Sequence, residues 1–435
     1  MECSLTSGEN LSLFAPCWSL TFRVPAAPCG DLVLLARDDG SLLSARMEGN
    51  WIQIRLWVEG RPSPILLQGD AQAGQAVLLQ YRQYRAELYL DGVLADEDWP
   101  YGSFSLKGSR CVRCCPDTVL SDQLHDLPRP ARPAGFRAEG FRPLGHNAHA
   151  GDCMPFYHQG RYHLFYLFDR RGHQSKWGLG AHQWAHMSST DLVHWQEHPM
   201  AVEIDRQEEG SICTGSVICH QGRFYAFYTV RSCDGSPAKI SCSLSEDGYH
   251  FHKTPVEFTL SSRYHQASAR DPKVFQDETG RFHMLLTTSL MKEGEGGYNP
   301  GCLARLTSDD LVRWQEEEPM IVLDRDVQPE CSDYFHYGGR YYLTYGDTGL
   351  VRYFVSSQPL GPWTVPDGAD NRVVGDWYRV PKCAQWKDGR LVFAGFAVDP
   401  EVEWGGTIHF YQATMGSAAD GSLEFAPLPE GRAAL

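Results

Sequence analysis

Between residues 152 and 416 one pattern of apolar and polar positions comes round five times. Each copy is an alternating run, a turn, then Gly-Arg and a second run rich in aromatic residues. The second runs begin at Gly160, Gly222, Gly280, Gly339 and Gly389, so the copies are spaced by 62, 58, 59 and 50 residues. Alternation with period two marks half-buried strands, and a glycine between two such runs marks a hairpin. Repeats of this length built from hairpins mean a propeller or an array. Five copies predict a five-bladed β-propeller of four-stranded blades over residues 136–435. The segment Asp191-Leu192-Val193-His194-Trp195 recurs as Asp310-Leu311-Val312-Arg313-Trp314. Its tryptophan is expected to cap the space between blades.

Residues 1–120 alternate differently. Runs such as Trp51-Ile52-Gln53-Ile54-Arg55-Leu56-Trp57 and Ala86-Glu87-Leu88-Tyr89-Leu90 show no helical period. Asp91-Gly92 between Leu90 and Val93 reads as a hairpin turn. These features predict a small antiparallel β-sandwich. The stretch from Leu88 to Leu94 resembles the laminin-G/concanavalin-like jelly roll. Residues 121–135 carry Pro128, Pro130 and Pro133. Proline denies ladder hydrogen bonds and stiffens the chain, so this stretch is predicted to be the linker. The fold class is therefore all-β, a sandwich followed by a propeller.

Composition narrows the function. The chain has 435 residues and a net charge of −15. Nucleic acid and anionic membranes need a basic stripe, so neither is expected as a partner. The start, Met1-Glu2-Cys3-Ser4, has neither a basic n-region nor an apolar core segment, and no run of about 18 apolar residues occurs. Its 14 cysteines are scattered, apart from Cys111, Cys114 and Cys115. A cytoplasmic protein with reduced thiols is the expectation. Cys111-x-x-Cys114 is half of a zinc motif, but no second pair at ligand spacing follows, so no metal is expected.

The chemistry is carried by the strand before each turn. Asp152 stands 8 residues before Gly160, Asp271 stands 9 before Gly280, and Glu330 stands 9 before Gly339. If the copies superpose, the three acids occupy equivalent points on the innermost strands of blades 1, 3 and 4 and converge on one funnel. Copy 2 has Thr214 at that point, and copy 5 has Pro381-Lys382. Glycoside hydrolysis needs two carboxyl groups flanking the scissile bond. A short Asp suits a nucleophile, here Asp152. A longer Glu suits an acid/base, here Glu330, with its pKa expected to be raised by burial and like-charged neighbours. No cofactor is needed for this chemistry.

These residues resemble glycoside hydrolase family 32, with its relatives in families 43, 62 and 68. The family's Arg-Asp-Pro motif corresponds to Arg270-Asp271-Pro272, and its Glu-Cys motif to Glu330-Cys331. Its Ser-Gly-Ser segment corresponds to Thr214-Gly215-Ser216. The resemblance spans about residues 145–430 and keeps motif order. It implies a five-bladed propeller with three acids in the funnel, acting as a retaining β-fructofuranosidase-like enzyme on fructosides. The nucleophile motif departs from the family: Asn-Asp-Pro-Asn-Gly is here Gly151-Asp152-Cys153-Met154-Pro155. No C-terminal sandwich of the usual kind is expected in residues 1–435, and a sandwich is expected before the propeller instead. The resemblance implies substrate contacts at Trp177 and Thr214. Arg270 is read as binding a sugar hydroxyl and keeping Asp271 ionised, and His149 as donating to one. The loop 294–299 is expected to rim the pocket. The expected partner is a sugar or oligosaccharide. Two other readings stay open: a family 43-like arabinofuranosidase or related pentosidase, which would invert, and a carbohydrate-binding protein without turnover.

Overall fold

The computed structural model describes residues 2–430, apart from 14, 28–29, 61–62, 100–103, 128–133, 138–139, 144–146, 179, 292–298, 367–369 and 417–419. The side chains of 134–137 and 176–177 also lie outside the description. The proline linker thus falls largely outside it, as do Trp177's side chain and most of the loop 294–299.

Each of the five Gly-Arg turns closes a hairpin. The turn glycines all take positive φ, from 77° at Gly222 and Gly339 to 92° at Gly389, a conformation closed to most side chains at low cost. Blade 1 runs Ala148–His158, Arg161–Arg170, Gln183–Ser189 and Trp195–Val202 from the centre outward. Blade 2 runs Glu209–His220, Arg223–Ser232, Lys239–Ser245 and His252–Phe258. Blade 3 has Arg270–Gln276, Phe282–Ser289 and Gly301–Ser308, with two short edge pieces, Gln315–Glu316 and Ile321–Val322. Blade 4 departs from the four strands predicted. It has Glu330–Tyr337, Arg340–Asp347 and Leu350–Ser356, and at its outer edge isolated bridges, Val355–Thr364 and Arg352–Arg372, stand in place of a fourth strand. Blade 5 has Arg379–Gln385, Leu391–Val398, Gly406–Met415 and Leu423–Pro427.

The ring closes between blades 5 and 1. Phe141, in the strand Gly140–Pro143, pairs with Ile408, and Ala150 pairs with Gly406. The tryptophans of the repeated Asp-Leu turn do cap the seams. Trp195 of blade 1 stacks on Phe410 of blade 5 at 5.0 Å, and Trp314 of blade 3 meets Phe227 of blade 2 edge-on at 5.5 Å. Between them, apolar side chains from facing blades form continuous buried clusters.

The N-terminal region forms two facing antiparallel sheets. One has six strands, from Glu2–Ser4 at one edge to Val93–Asp98 at the other, and the second has five. The core between them is aliphatic, centred on Leu20, Leu35, Leu43, Ile54 and Leu88. The sandwich docks on blade 1 through charge and one large ring. Arg171 reaches Asp96 at 2.9 Å and donates to the carbonyls of Glu97 and Leu66. Trp99, wholly buried, packs among Met154, Phe165 and Trp184 of the propeller. The first part of the linker lies on the sandwich, where the His125 carbonyl accepts from Gln80 and Arg82. Among the described residues no helix is long and apolar enough to cross a membrane.

Candidate active site

Every inner strand carries one extra residue at the same height. The ladder registers shift between Ala150 and Cys153, Ile212 and Gly215, Arg270 and Lys273, Glu330 and Asp333, and Arg379 and Lys382. Five bulges in a ring bend the strands at the channel mouth and aim side chains into it. In blades 3, 4 and 5 the first bulged residue takes positive φ: Asp271 at 58°, Cys331 at 48° and Val380 at 37°.

The bulge corrects the expectation that the three acids are equivalent. Asp152 is the second bulged residue of its strand and shares that row with Thr214. Asp271 is the first bulged residue of its strand. Glu330 is the last paired residue before the bulge. The acids therefore come from three successive rows and present carboxyl groups at three heights, yet all line one cavity of about 340 Å³.

Each acid has a distinct setting. Asp152 Oδ2 accepts from Thr214 Oγ1 at 2.5 Å and from the Cys331 thiol at 3.5 Å. Burial, then the neighbouring Asp271 and Asp152, push the Cys331 thiol well up, so it stays protonated and able to donate. Asp271 is 3% exposed and its Oδ2 accepts from the Cys331 backbone N–H at 2.9 Å. The Cys331 residue thus ties the two aspartates together. Glu330 does not have the buried, like-charged setting predicted for it. Its side chain is 53% exposed, and Arg270 pairs with it at 2.6 Å.

Arg270 is correspondingly occupied. Its guanidinium donates to the Ser268 carbonyl at 3.0 Å and to Gln328 Oε1 at 2.5 Å besides Glu330, and lies 3.6 Å from Asp271. It lines the cavity, but its bonds go to protein groups, so it bridges two acids rather than offering itself to a sugar. Thr214, 1% exposed, likewise spends its hydroxyl on Asp152. His149 does not join the cavity lining. It is buried, and that burial holds its imidazole below the usual range, hence neutral. Trp177 lies in the one-turn helix Ser175–Gly178, and its side chain is outside the described residues.

Below the acids the next row plugs the channel. Lys273 pairs with Asp333 at 2.5 Å, Asp333 accepts from the Cys383 N–H, and the buried Lys382 donates to the Gly215 carbonyl. Cavity residues missed from the sequence are Trp404, Arg231, His173 and His182. His173, His182 and Trp404 come from connections between strands, where no period points to them, and Arg231 stands near the end of the second strand of blade 2. Trp404 explains the departure at the nucleophile motif. A Cβ on Gly151 would stand 2.1 Å from the Trp404 ring, so the space where a side chain at 151 would begin is taken. Arg231 has no hydrogen-bond or ion-pair partner among the described residues.

Fold and site together define a five-bladed propeller with a ring of bulges and three carboxyl groups at one mouth of its channel. The chain belongs to glycoside hydrolase family 32: the family model "Glycosyl hydrolases family 32 N-terminal domain" matches residues 153–377. It is similar to the "Probable sucrose-6-phosphate hydrolase" of Vibrio cholerae, 27% identical over 295 residues, covering 60% of this chain and 50% of that protein. It is also similar to the sucrose-6-phosphate hydrolase of Bacillus subtilis, 30% identical over 206 residues, covering 45% and 40%. The chain thus spans about half the length of the curated relatives it matches, or less. Among solved structures, its fold is similar to the beta-fructofuranosidase of Bombyx mori in complex with sucrose, with a TM-score of 0.54 at 21% identity over 68% of this chain and 66% of that one. It is similar as well to fructan 1-exohydrolase IIa of Cichorium intybus, with a TM-score of 0.55 at 18% identity over 68% and 61%.

Proposed function

We propose that this chain is a retaining glycoside hydrolase of the β-fructofuranosidase type, cleaving fructosides. The observation that carries the reading is the convergence of Asp152, Asp271 and Glu330 on one cavity, with the Asp152 carboxylate held by two donors. A carboxylate fixed in this way is oriented for attack. In this reading Asp152 attacks the anomeric carbon, and the bond to the leaving oxygen breaks as Glu330 supplies a proton. Water then cleaves the glycosyl-Asp152 ester, with Glu330 taking the water's proton. Asp271, buried beside them, accepts hydrogen bonds from ring hydroxyls. Arg270 and Thr214 are positioning residues that act through the acids.

The relatives' named substrate, sucrose-6-phosphate, is compatible with the cavity's charge. Arg231 and Arg379 line it in a strongly acidic chain, and Arg231 has no partner among the described residues. A guanidinium left over in this way suits a phosphate.

The test is a panel of sucrose, sucrose-6-phosphate, kestose, inulin, levan and aryl furanosides, with the anomer of the first product followed by NMR. Retention on at least one fructoside is expected, lost in Asp152→Ala. An inverted product would favour the pentosidase-like reading. Turnover of no furanoside, with sugar binding intact, would leave a binding protein.

A further inference from the structure

Against the expectation of no metal, we propose that Asp169, His173 and His182 form a binding site for one divalent transition-metal ion of the zinc class in the wall of the acid-lined cavity. Asp169 is the last residue but one of the second strand of blade 1, His173 sits in the following 3₁₀ turn, and His182 directly precedes the third strand. One ligand atom from each lies within 4.8 Å of the others.

Two of the three distances between the ligand atoms are those of a coordination polyhedron. His173 Nδ1 and His182 Nε2 are 3.1 Å apart, and His182 Nε2 and Asp169 Oδ2 are 3.2 Å apart. Bonds of about 2.0–2.1 Å to zinc put neighbouring ligand atoms about 3.3 Å apart in a tetrahedron and about 2.9 Å apart in an octahedron. Hydrogen bonding explains the cluster less well. His182 Nε2 faces both partners, and a single ring nitrogen offers either one proton or one lone pair. Asp169 Oδ2 is buried with no donor in hydrogen-bonding geometry among the described residues, while its Oδ1 is used by the Arg170 N–H. A cation accepting a lone pair from all three atoms satisfies each of them.

The surroundings hold the ligands and leave one side open. Trp404 stacks on the His182 ring at 4.2 Å and fixes its plane. Gly180, at φ 72°, passes so close that a Cβ there would stand 2.6 Å from His182 Nε2 and 2.9 Å from His173 Nδ1. A side chain at 180 would therefore crowd the two nitrogens that the site needs. His173 and His182 both line the cavity, so the free coordination positions face it. Two imidazoles and one carboxylate suit zinc and its neighbours better than calcium or magnesium, which take oxygen ligands. Three protein ligands with an open position are the pattern of a site that also binds a small molecule. In the cavity that molecule is a pair of sugar hydroxyls. The hydroxyl contact rests on the glycosidase reading, whereas metal binding itself does not, so the two fail separately.

The experiment uses the full chain, stripped with a chelator, dialysed and titrated with zinc alone by calorimetry, with metal content checked by mass spectrometry. One zinc per chain is expected, together with a zinc-dependent rise in Tm. His173→Ala and His182→Gln should each weaken binding at least tenfold and abolish the Tm rise, while Cys114→Ser should bind as the parent does. Cobalt(II) substitution and X-ray absorption on the unmutated protein give a second readout that needs no variant to fold. Nitrogen and oxygen scatterers at about 2.0–2.1 Å are expected, without the near-ultraviolet charge-transfer bands of thiolate ligation. No zinc binding, affinity unchanged in both histidine variants, or a thiolate spectrum would each overturn the proposal.

Discussion

Gly151→Ala is a one-carbon change whose consequence follows from measured space. The new Cβ would stand 2.1 Å from Trp404 Cζ2, 2.6 Å from Cη2 and 2.7 Å from Cε2. Ordinary carbon contacts need about 3.5 Å or more, so about 1.4 Å of movement must be found. The Trp404 ring resists, because it lies on His182 at 4.2 Å and against Phe396 at 5.9 Å. The strand resists less at its bulge, and the residue that moves with it is Asp152. Overpacking of this kind costs about 1–3 kcal/mol of stability. A misplacement of about 1 Å at a reacting group costs on the order of 10²-fold in rate, equivalent to about 2.7 kcal/mol. Urea denaturation and kcat/KM on a turned-over fructoside are the assays. Trp404→Ala in the same chain removes the obstacle, so Gly151→Ala should cost at most half as much in that background as in the parent, a coupling of about 1 kcal/mol. A Gly151→Ala protein as stable and active as the parent would refute the reasoning. So would a double variant no more stable than the sum of the two single changes.

Three further outcomes are expected. Glu330→Ala should lose most activity on sucrose but recover part of it on an aryl fructoside with a good leaving group, whereas Asp152→Ala should recover none; equal behaviour of the two would sink the assignment of roles. Arg171→Ala should destabilise the chain by about 2 kcal/mol, because it strips the buried Asp96 carboxylate of a partner at 2.9 Å while the Gln68 N–H and Arg170 remain beside it; an unchanged thermal midpoint would show that the Arg171 contacts do not hold the sandwich. Burial, with neighbouring histidines and Arg161 adding to it, lowers His163 to about 3; burial, then Arg161 and His250, lowers His198 to about 4; and burial lowers His186 well below the usual value. Unfolded histidines take up protons near pH 6.5, so the stability these three contribute is complete above that pH and is lost as pH falls toward 4, at roughly 1.4 kcal/mol per pH unit for each. A urea midpoint that stays flat from pH 7 to pH 5 would contradict this.

The blades were legible in the chain because their information is local. Period-two alternation and a glycine at each turn specify a hairpin without help from the rest of the molecule, and five hairpins at similar spacing leave little choice but a ring. Asp152, Asp271 and Glu330 were legible as a group for the same reason, since each stands 8 or 9 residues before the glycine of its turn. Their exact rows were not. A bulge adds a residue to one strand without changing its composition, and whether Asp271 or its neighbour meets the cavity depends on how five strands crowd one axis. Glu330's setting was also beyond local reading, because Arg270 and Glu330 belong to different blades and meet only once blades 3 and 4 pack together. The same holds for Trp404 over Gly151, where a loop of blade 5 meets a strand of blade 1. Asp169, His173 and His182 all belong to blade 1, but their spacing matches no local period, and the path of the connection between its second and third strands brings them together. What the sequence by itself determined was which segments become strands and which acids they carry. What tertiary structure decided was which groups face one another, because that depends on closure of the ring, a property of the whole chain and of no single repeat.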